Sequence, residues 1–448
     1  MATGRSPNAA LRSLLTESGW SGADLARAVN TVGRETGLDL RYDRPSVAQW
    51  LAGGVPRGTG PQLVAEALSR RLGRPLTAAQ AGFTGAGTPD PEERPRTADT
   101  LRTLAGQGDR RTLVYSVSSL TGIPRAAGSG RYQGPKAPPR GSLPMPSAHL
   151  RGLRDLTVLF TRTSHVLGAQ TVRAPLTAFL ATTLCPSFRM RTRPALYQEL
   201  LASAASLTSL CGTVHVDDEL HGTAMEFYRL SAAFADEAGD RHSLASVLRT
   251  LSMQAGRLGH HTAALDLALA AVEQGHGTSA DTPLLHGQLA AAFAALHDSV
   301  AARTSLRTAQ ELASAAAGTT APHAHTRVLL AQLAFHRATV AWHLDDRTRA
   351  IAALGECARL CPPEMTAPRA NALARAAELQ AQEGHLDRAC DTWSRFLKQS
   401  TLTRSRSIDR AVTTMRTTLA PHRDRTSVQS LLRQATLRTT GQPPGCAS

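Results

Sequence analysis

Tyr42 to Gly58 reads YDRPSVAQWLAGGVPRG, and its side chains sort by chemistry. Arg44, Ser46 and Gln49 place a guanidinium, a hydroxyl and an amide at the front of one short helix. Each can hydrogen-bond a planar polar partner, the guanidinium and the amide in pairs. Asp43 suits the cap of that helix, and Pro45 is tolerated in the first turn because the early N–H groups have no intrahelical partner. Val47, Trp50 and Leu51 belong to the packing side, and Gly53-Gly54 stop the helix ahead of Arg57. A polar face built this way, with Arg41 before it and Arg57 after it, does little for stability. It has the form of a face that reads something.

Other residue patterns mimic chemistry without completing it. Cys357 and Cys361 stand four apart on one helix with His385 and Cys390 downstream, from which a metal site could be drawn; core-facing thiols are the alternative. Cys185, Cys211 and Cys446 lie far apart and no CxxC occurs, so reduced thiols and no bound metal are expected. GSGRYQGPK, Gly128–Lys136, imitates a phosphate loop but lacks the following Ser or Thr and a preceding strand. There is no GxSxG and no HExxH. His260-His261, and His323 with His325, read as surface histidines at loop ends. The expectation is a chain with no catalytic site and no cofactor.

These residues need elements to hold them. Residues 1–84 read as a helical bundle: Leu11, Leu14 and Leu15 share one face, and Ser21 caps a helix carrying Leu25, Ala28, Val29 and Val32. Leu63, Ala67, Leu68 and Leu72 repeat at helical spacing, and Thr77 caps a last turn. Residues 85–149 turn Gly-, Pro- and Ser-rich, a linker with room for a short helix. Residues 110–154 hold eight basic side chains and no acidic one. From 150 to 437 helix follows helix, and 438–448 reads as a disordered tail. LGHHTAALDLALAAV, LHDSVAARTSLRTAQ, LDDRTRAIAALGECA and EGHLDRACDTWSRFL share a turn residue (Gly259, His297, Asp345, Gly384), then Ala five positions on (Ala264, Ala302, Ala350, Ala389). Four further on stand Ala268, Leu306, Leu354 and Trp393, where Ala268 breaks the rule of a large residue. LYQELLASAASLTSLCG with DELHGTAMEFYRLSAAFADEAGD looks like a divergent copy, and residues 407–437 like a polar closing pair. Stacked helical hairpins account for the 4% aromatic content, and the fold class is all-α with a C-terminal α-solenoid.

Charge adds a second constraint. Lys and Arg number 50 against 35 Asp and Glu, a net charge of +15, and only Lys136 and Lys398 are lysine. An anionic partner such as nucleic acid is one explanation; an Arg bias from a GC-rich genome on solvated faces is the other. No run of 18 apolar residues occurs and no basic-then-apolar leader opens the chain. Arg110-Arg111 before TLVYSVSSLTG imitates a twin-arginine export signal, but sits internally with too short an apolar stretch. A cytoplasmic, nucleoid-associated protein without membrane contact is expected.

The repeats resemble the tetratricopeptide family, most clearly at TRAIAALGECARLCP, where Asp345, Ala350, Leu354, Cys357 and Pro362 fall on its turn, small, large, small and proline places. LARAVN, SVAQWLAGGVPR and LVAEALSRRLGRPLT resemble the phage-repressor-like (XRE-type) helix-turn-helix family. Together they look like actinobacterial helix-turn-helix/tetratricopeptide regulators, among them negative regulators of Streptomyces differentiation. The resemblance implies a second motif helix in the major groove of double-stranded DNA, with Arg44, Ser46 and Gln49 toward bases and Arg41 and Arg57 on phosphates. TVGRETGLDLRYD departs from it, lying where a turn of about four residues is usual. That stretch lengthens the first helix, forms a flap or spoils the geometry. The resemblance further implies a homodimer and a repeat groove for a peptide, small molecule or protein effector. Its lining would be Arg249, Met253, Arg257, Gln332, Phe335, Thr339, Trp342, His343, Asn371, Glu378 and Gln382. Trp342 and Phe335 fit packing between repeats equally well. The function implied is a ligand-switched repressor; the alternative is a repeat-based adaptor whose N-terminal bundle reads no DNA.

Overall fold

Ala, Leu and Arg dominate the chain, and all three favour helix. In the computed structural model the protein is nearly all helical, with no strand among the described residues. Those are residues 6–83, 97–107, 113–120, 123, 142–275, 281–317 and 324–440; Gly128–Lys136, Arg110-Arg111, His323 and Cys446 lie outside them. The chain divides into two units, Met1–Leu153 with Thr177–Gln274, and Arg154–Leu176 with Gly275–Ser448.

The first unit opens with α1 (Ala9–Ser18), α2 (Gly22–Glu35), α3 (Arg44–Leu51) and α4 (Gly60–Leu72). The apolar faces expected from spacing meet in one core, where Leu11, Leu25, Val29, Val47, Leu63 and Leu68 are fully buried. Ser21 and Asp24 close a reciprocal capping box at the start of α2. Helix α5 (Thr97–Gln107) follows, and within residues 113–120 Tyr115, Val117 and Leu120 are buried. Between 85 and 149, then, an apolar run inside polar sequence is drawn into the core. Helix α6 (Ser147–Leu167) starts in this unit and passes at Arg154 into the second, to which Arg154–Leu176 and so most of α7 (Ala169–Phe179) belong; the first unit resumes at Thr177, with a π-turn at Leu180–Leu184. Two hairpins complete the unit: α8 (Pro194–Asp217) with α9 (His221–Ala238), and α10 (Arg241–Arg257) with α11 (His261–Gln274).

The second unit pairs α12 (Thr282–Ala295) with α13 (Ser299–Ala317), α14 (Ala324–His343) with α15 (Arg347–Leu360), and α16 (Thr366–Gln382) with α17 (Leu386–Gln399). Helices α18 (Arg406–Leu419) and α19 (Thr426–Thr440) close it, burying Ile408, Met415, Val428 and Leu431 against the preceding pair. The four turn residues named above all take left-handed backbone: Gly259 at φ 88°, His297 at 62°, Asp345 at 59° and Gly384 at 80°. Five residues on, Ala264, Ala302, Ala350 and Ala389 are at most 1% exposed. The divergent copy obeys the same rule, with Glu219 at φ 61° and Ala224 fully buried. A left-handed residue costs a side-chain-bearing position about 1–2 kcal/mol, so burial by the closing helices must outweigh it at Glu219, His297 and Asp345.

A methyl group at the fifth position is therefore the largest that the hairpin accepts. Ala350→Leu should destabilise the chain by about 1–3 kcal/mol in urea unfolding, while the same change at exposed Ala315 should leave the midpoint within error.

Candidate functional site

Helix α2 continues to Glu35, taking up the first five residues of TVGRETGLDLRYD. Part of the stretch thus belongs to α2, and eight residues, Thr36–Asp43, remain as connector. This connector is fastened rather than loose. Asn30 Nδ2 donates to the Tyr42 carbonyl at 2.8 Å and Asn30 Oδ1 accepts from the Tyr42 N–H at 2.9 Å. Leu38 and Leu40 pack on the bundle core, and a Cβ at Gly33 would stand 2.6 Å from Leu40, so that helix position admits only glycine without a shift. Tyr42 meets Trp50 edge-on, ring centroids 4.9 Å apart, which sets α3 against α2.

Helix α3 begins as its sequence requires. Asp43 accepts from the Ser46 N–H at 2.9 Å and from the Ser46 hydroxyl at 2.6 Å. The Ser46 hydroxyl bond comes first and its backbone bond second in holding the Asp43 carboxyl below its ordinary value. Val47 is fully buried, Trp50 nearly so, and Leu51 packs on the same core. Arg44 and Gln49 are exposed, Gln49 on the side away from Val47 and Trp50 and Arg44 at the edge of the packed face near Gly22. Ser46 is half-buried and its hydroxyl proton is directed to Asp43, which leaves it lone pairs rather than a donor. Arg41 is exposed and pairs loosely with Asp39 at 3.3 Å; Arg57 is exposed beyond the Gly-Gly stop.

The back of the bundle carries polar residues that the sequence reading passed over. His260, expected at the surface, is 3% exposed, and its Nε2 lies 2.7 Å from Oε1 of Glu66, itself 2% exposed. The same oxygen accepts from Arg70 Nε at 2.9 Å, and Arg70 reaches both oxygens of Glu35 at 2.7 and 2.9 Å. Burial works against the Arg70 charge, yet the hydrogen bonds and charges of Glu35 and Glu66 hold it above its ordinary value. Tyr115 stacks on His260 with ring centroids 5.6 Å apart. Burial first, then the Glu66 carboxylate, pushes the Tyr115 hydroxyl well above its usual range. The clasp ties α4 of the bundle to the turn between α10 and α11. Glu66 and Arg70 four apart on a helix suggest a pair; nothing in the sequence joins them to a histidine 194 residues away.

The expected repeat-groove residues fall in both units. In the first, Arg249 Nη1 lies 3.3 Å from Met253 Sδ on α10, with Arg257 exposed one turn on. In the second, Trp342 is half-buried against the core, with the guanidinium of Arg347 3.7 Å and that of Arg375 4.7 Å from its ring centroid. Arg375 also reaches Glu378 at 3.3 Å, which brings Trp342 and Glu378 into one cluster. Trp342 thus both packs and meets charge. Phe335 is 38% exposed, Thr339 Oγ1 donates to the Phe335 carbonyl, and Ser407 donates to Asn371 at 3.4 Å. Gln332 and His343 are half-buried and Gln382 is exposed. Cys357, Cys361 and Cys390 are buried together in the core while His385 lies outside at the start of α17. Among the described residues no group of three or more His, Cys, Asp or Glu is placed to hold a metal ion.

Residues 11–84 match the family described as the SP15 N-terminal domain. No curated protein matches the chain. One solved structure it is similar to is a Rap protein complexed with competence and sporulation factor, at 12% identity and a TM-score of 0.42, over 65% of this chain and 87% of that one.

Removing one partner of the clasp leaves the others buried without it. His260→Ala should lower stability by about 3–5 kcal/mol and increase hydrogen exchange in α4 and in residues 113–120. Asn30→Ala, which breaks both bonds to Tyr42, should cost about 1–3 kcal/mol and raise exchange first in 36–43.

Proposed function

We propose that this helical-repeat protein is a sequence-specific DNA-binding regulator, of the repressor type, with a repeat surface that binds an effector. The observation that carries the reading is the face of α3. Asp43 caps the helix, Val47 and Trp50 anchor it, and Arg44 in its first turn and Gln49 are both exposed, with Arg41 and Arg57 exposed before and after it. A guanidinium matches guanine O6 and N7, and an amide matches adenine N6 and N7. Ser46 then serves as cap first and as an acceptor toward the DNA second. The net charge of +15 adds the non-specific attraction such proteins use.

On the repeat side, Trp342 with the guanidiniums of Arg347 and Arg375 over its ring, paired in turn with Asp345 and Glu378, suits a peptide or small molecule with polar and apolar groups. A homodimer would present two α3 faces to a roughly palindromic site. The chain is read as a binding protein rather than an enzyme, working in the cytoplasm at the nucleoid. No helix among the described residues is long and apolar enough to cross a membrane. One observation favours the adaptor reading instead. The bundle is clasped to the α10–α11 hairpin through Glu66 and His260, as a capping domain would be.

Selection from a randomised duplex pool separates the two. The wild-type chain should enrich a motif, and Arg44→Ala with Gln49→Ala should lose about 1–3 kcal/mol of specific binding per contact while keeping its salt slope. Arg57→Ala should weaken all sequences alike and reduce the slope by about one. No enriched motif, or equal behaviour of wild type and the double variant, would leave the adaptor reading standing.

A further inference from the structure

Helix α6 presents a face that the described residues leave uncovered. Val158 is 50% exposed, Leu159 56% and Val166 37%. With 3.6 residues per turn, these three share a sector of about 100° with exposed Asp155 and Arg162, and at its start with exposed Arg151, whose guanidinium donates to the Ser147 hydroxyl at 3.5 Å. Neither Asp155 nor Arg162 forms an ion pair or hydrogen bond with a described residue. The helix is nonetheless held in place. Leu150 and Leu153 near its start are 1% exposed, and at its end Arg404 N–H donates to the Leu167 carbonyl at 2.8 Å and the Thr403 hydroxyl to that of Val166 at 3.3 Å. Leu402, 74% exposed, sits next to Thr403 at that end of the stripe. An ordered helix that offers two unpaired opposite charges around an apolar centre is a surface, not a fraying end.

The charge pattern selects the occupant. Asp155 and Arg162 stand seven residues apart, two helical turns, with Val158 and Leu159 midway between them. A second copy laid antiparallel about a two-fold axis between 158 and 159 brings each Asp155 against the partner's Arg162 and each Val158 against the partner's Leu159. A parallel copy would instead set Asp155 against Asp155 and Arg162 against Arg162. We propose that α6 is a homodimer interface, its Asp155–Val166 face pairing antiparallel with the same face of a second copy of this chain. The contact is isologous, so both charges are satisfied twice and the pairing closes at two. It gives a place to the dimer in the reading above, and it stands or falls without reference to what α3 binds.

The full chain, without DNA, is followed by sedimentation across the micromolar range. Wild type should pass from monomer to dimer with rising concentration. Leu159→Glu, which sets two carboxylates beside the axis, should abolish the dimer with an unchanged helical spectrum, since the position is exposed. Asp155→Arg and Arg162→Asp alone should each weaken association at least about tenfold, because each replaces two attractions by two repulsions. The double exchange Asp155→Arg with Arg162→Asp should restore it. A wild-type chain that stays monomeric throughout, a dimer indifferent to the single exchanges, or single defects that the double exchange does not repair would each overturn the proposal. Selection on duplex DNA reports separately, so loss of either reading is visible without the other.

Discussion

Five hairpins turn on a residue at positive φ, and five residues later an alanine allows the two helices to close. Both parts are needed. The left-handed residue reverses the chain within a few bonds, and the helices then meet at a distance that only a methyl group permits. Three of the five turns use Glu219, His297 and Asp345, where a side chain raises the local energy. Those turns persist because the rest of each hairpin is buried. Tyr228 and Trp393, nine residues past their turns, are fully enclosed. A chain with few aromatics builds its core this way, from many small close contacts rather than a few large rings.

The bundle belongs to this framework through chemistry of a different kind. Apolar packing orders α1 to α4 internally, but Glu66, Arg70, Glu35 and His260 form a chain of polar contacts running out of the bundle. Polar groups at such depth must all find partners, and this makes the contact more directional than an apolar one. Tyr115 covers the imidazole with its ring, drawing the apolar run of residues 113–120 into the joint. The face of α3 remains outside it, with Arg44 and Gln49 exposed. A change in the α10–α11 turn would be felt first by α4, against which α2 and hence α3 are packed.

Among the described residues two surfaces then stand out for contributing little to internal packing: the front of α3 and the middle of α6. Each carries exposed charge on a helix, and each is laid down by local features, a capping box in one case and two opposite charges seven residues apart in the other. The α3 front offers paired donors and acceptors suited to flat polar edges. The α6 stripe is apolar at its centre and complementary only to itself reversed.

The sequence alone determined what depends on neighbours within a few residues. Helical period, the Asp43 and Ser21 caps, the Gly and Asp turns and the Ala that follows them were legible because one helical turn decides each of them. The same locality places Gln49 opposite Val47 and Trp50 and Arg44 in the first turn. Tertiary structure decided the rest. The connector before α3 is ordered because Asn30 grips Tyr42 and Leu40 fills the space over Gly33, contacts that spacing does not announce. His260 is buried rather than exposed because Glu66, 194 residues earlier, lies against it. Trp342 is covered by Arg375 from another helix. Burial and ion pairing at long separation are properties of the packed chain, and no periodicity in a single sequence encodes which two distant side chains will meet.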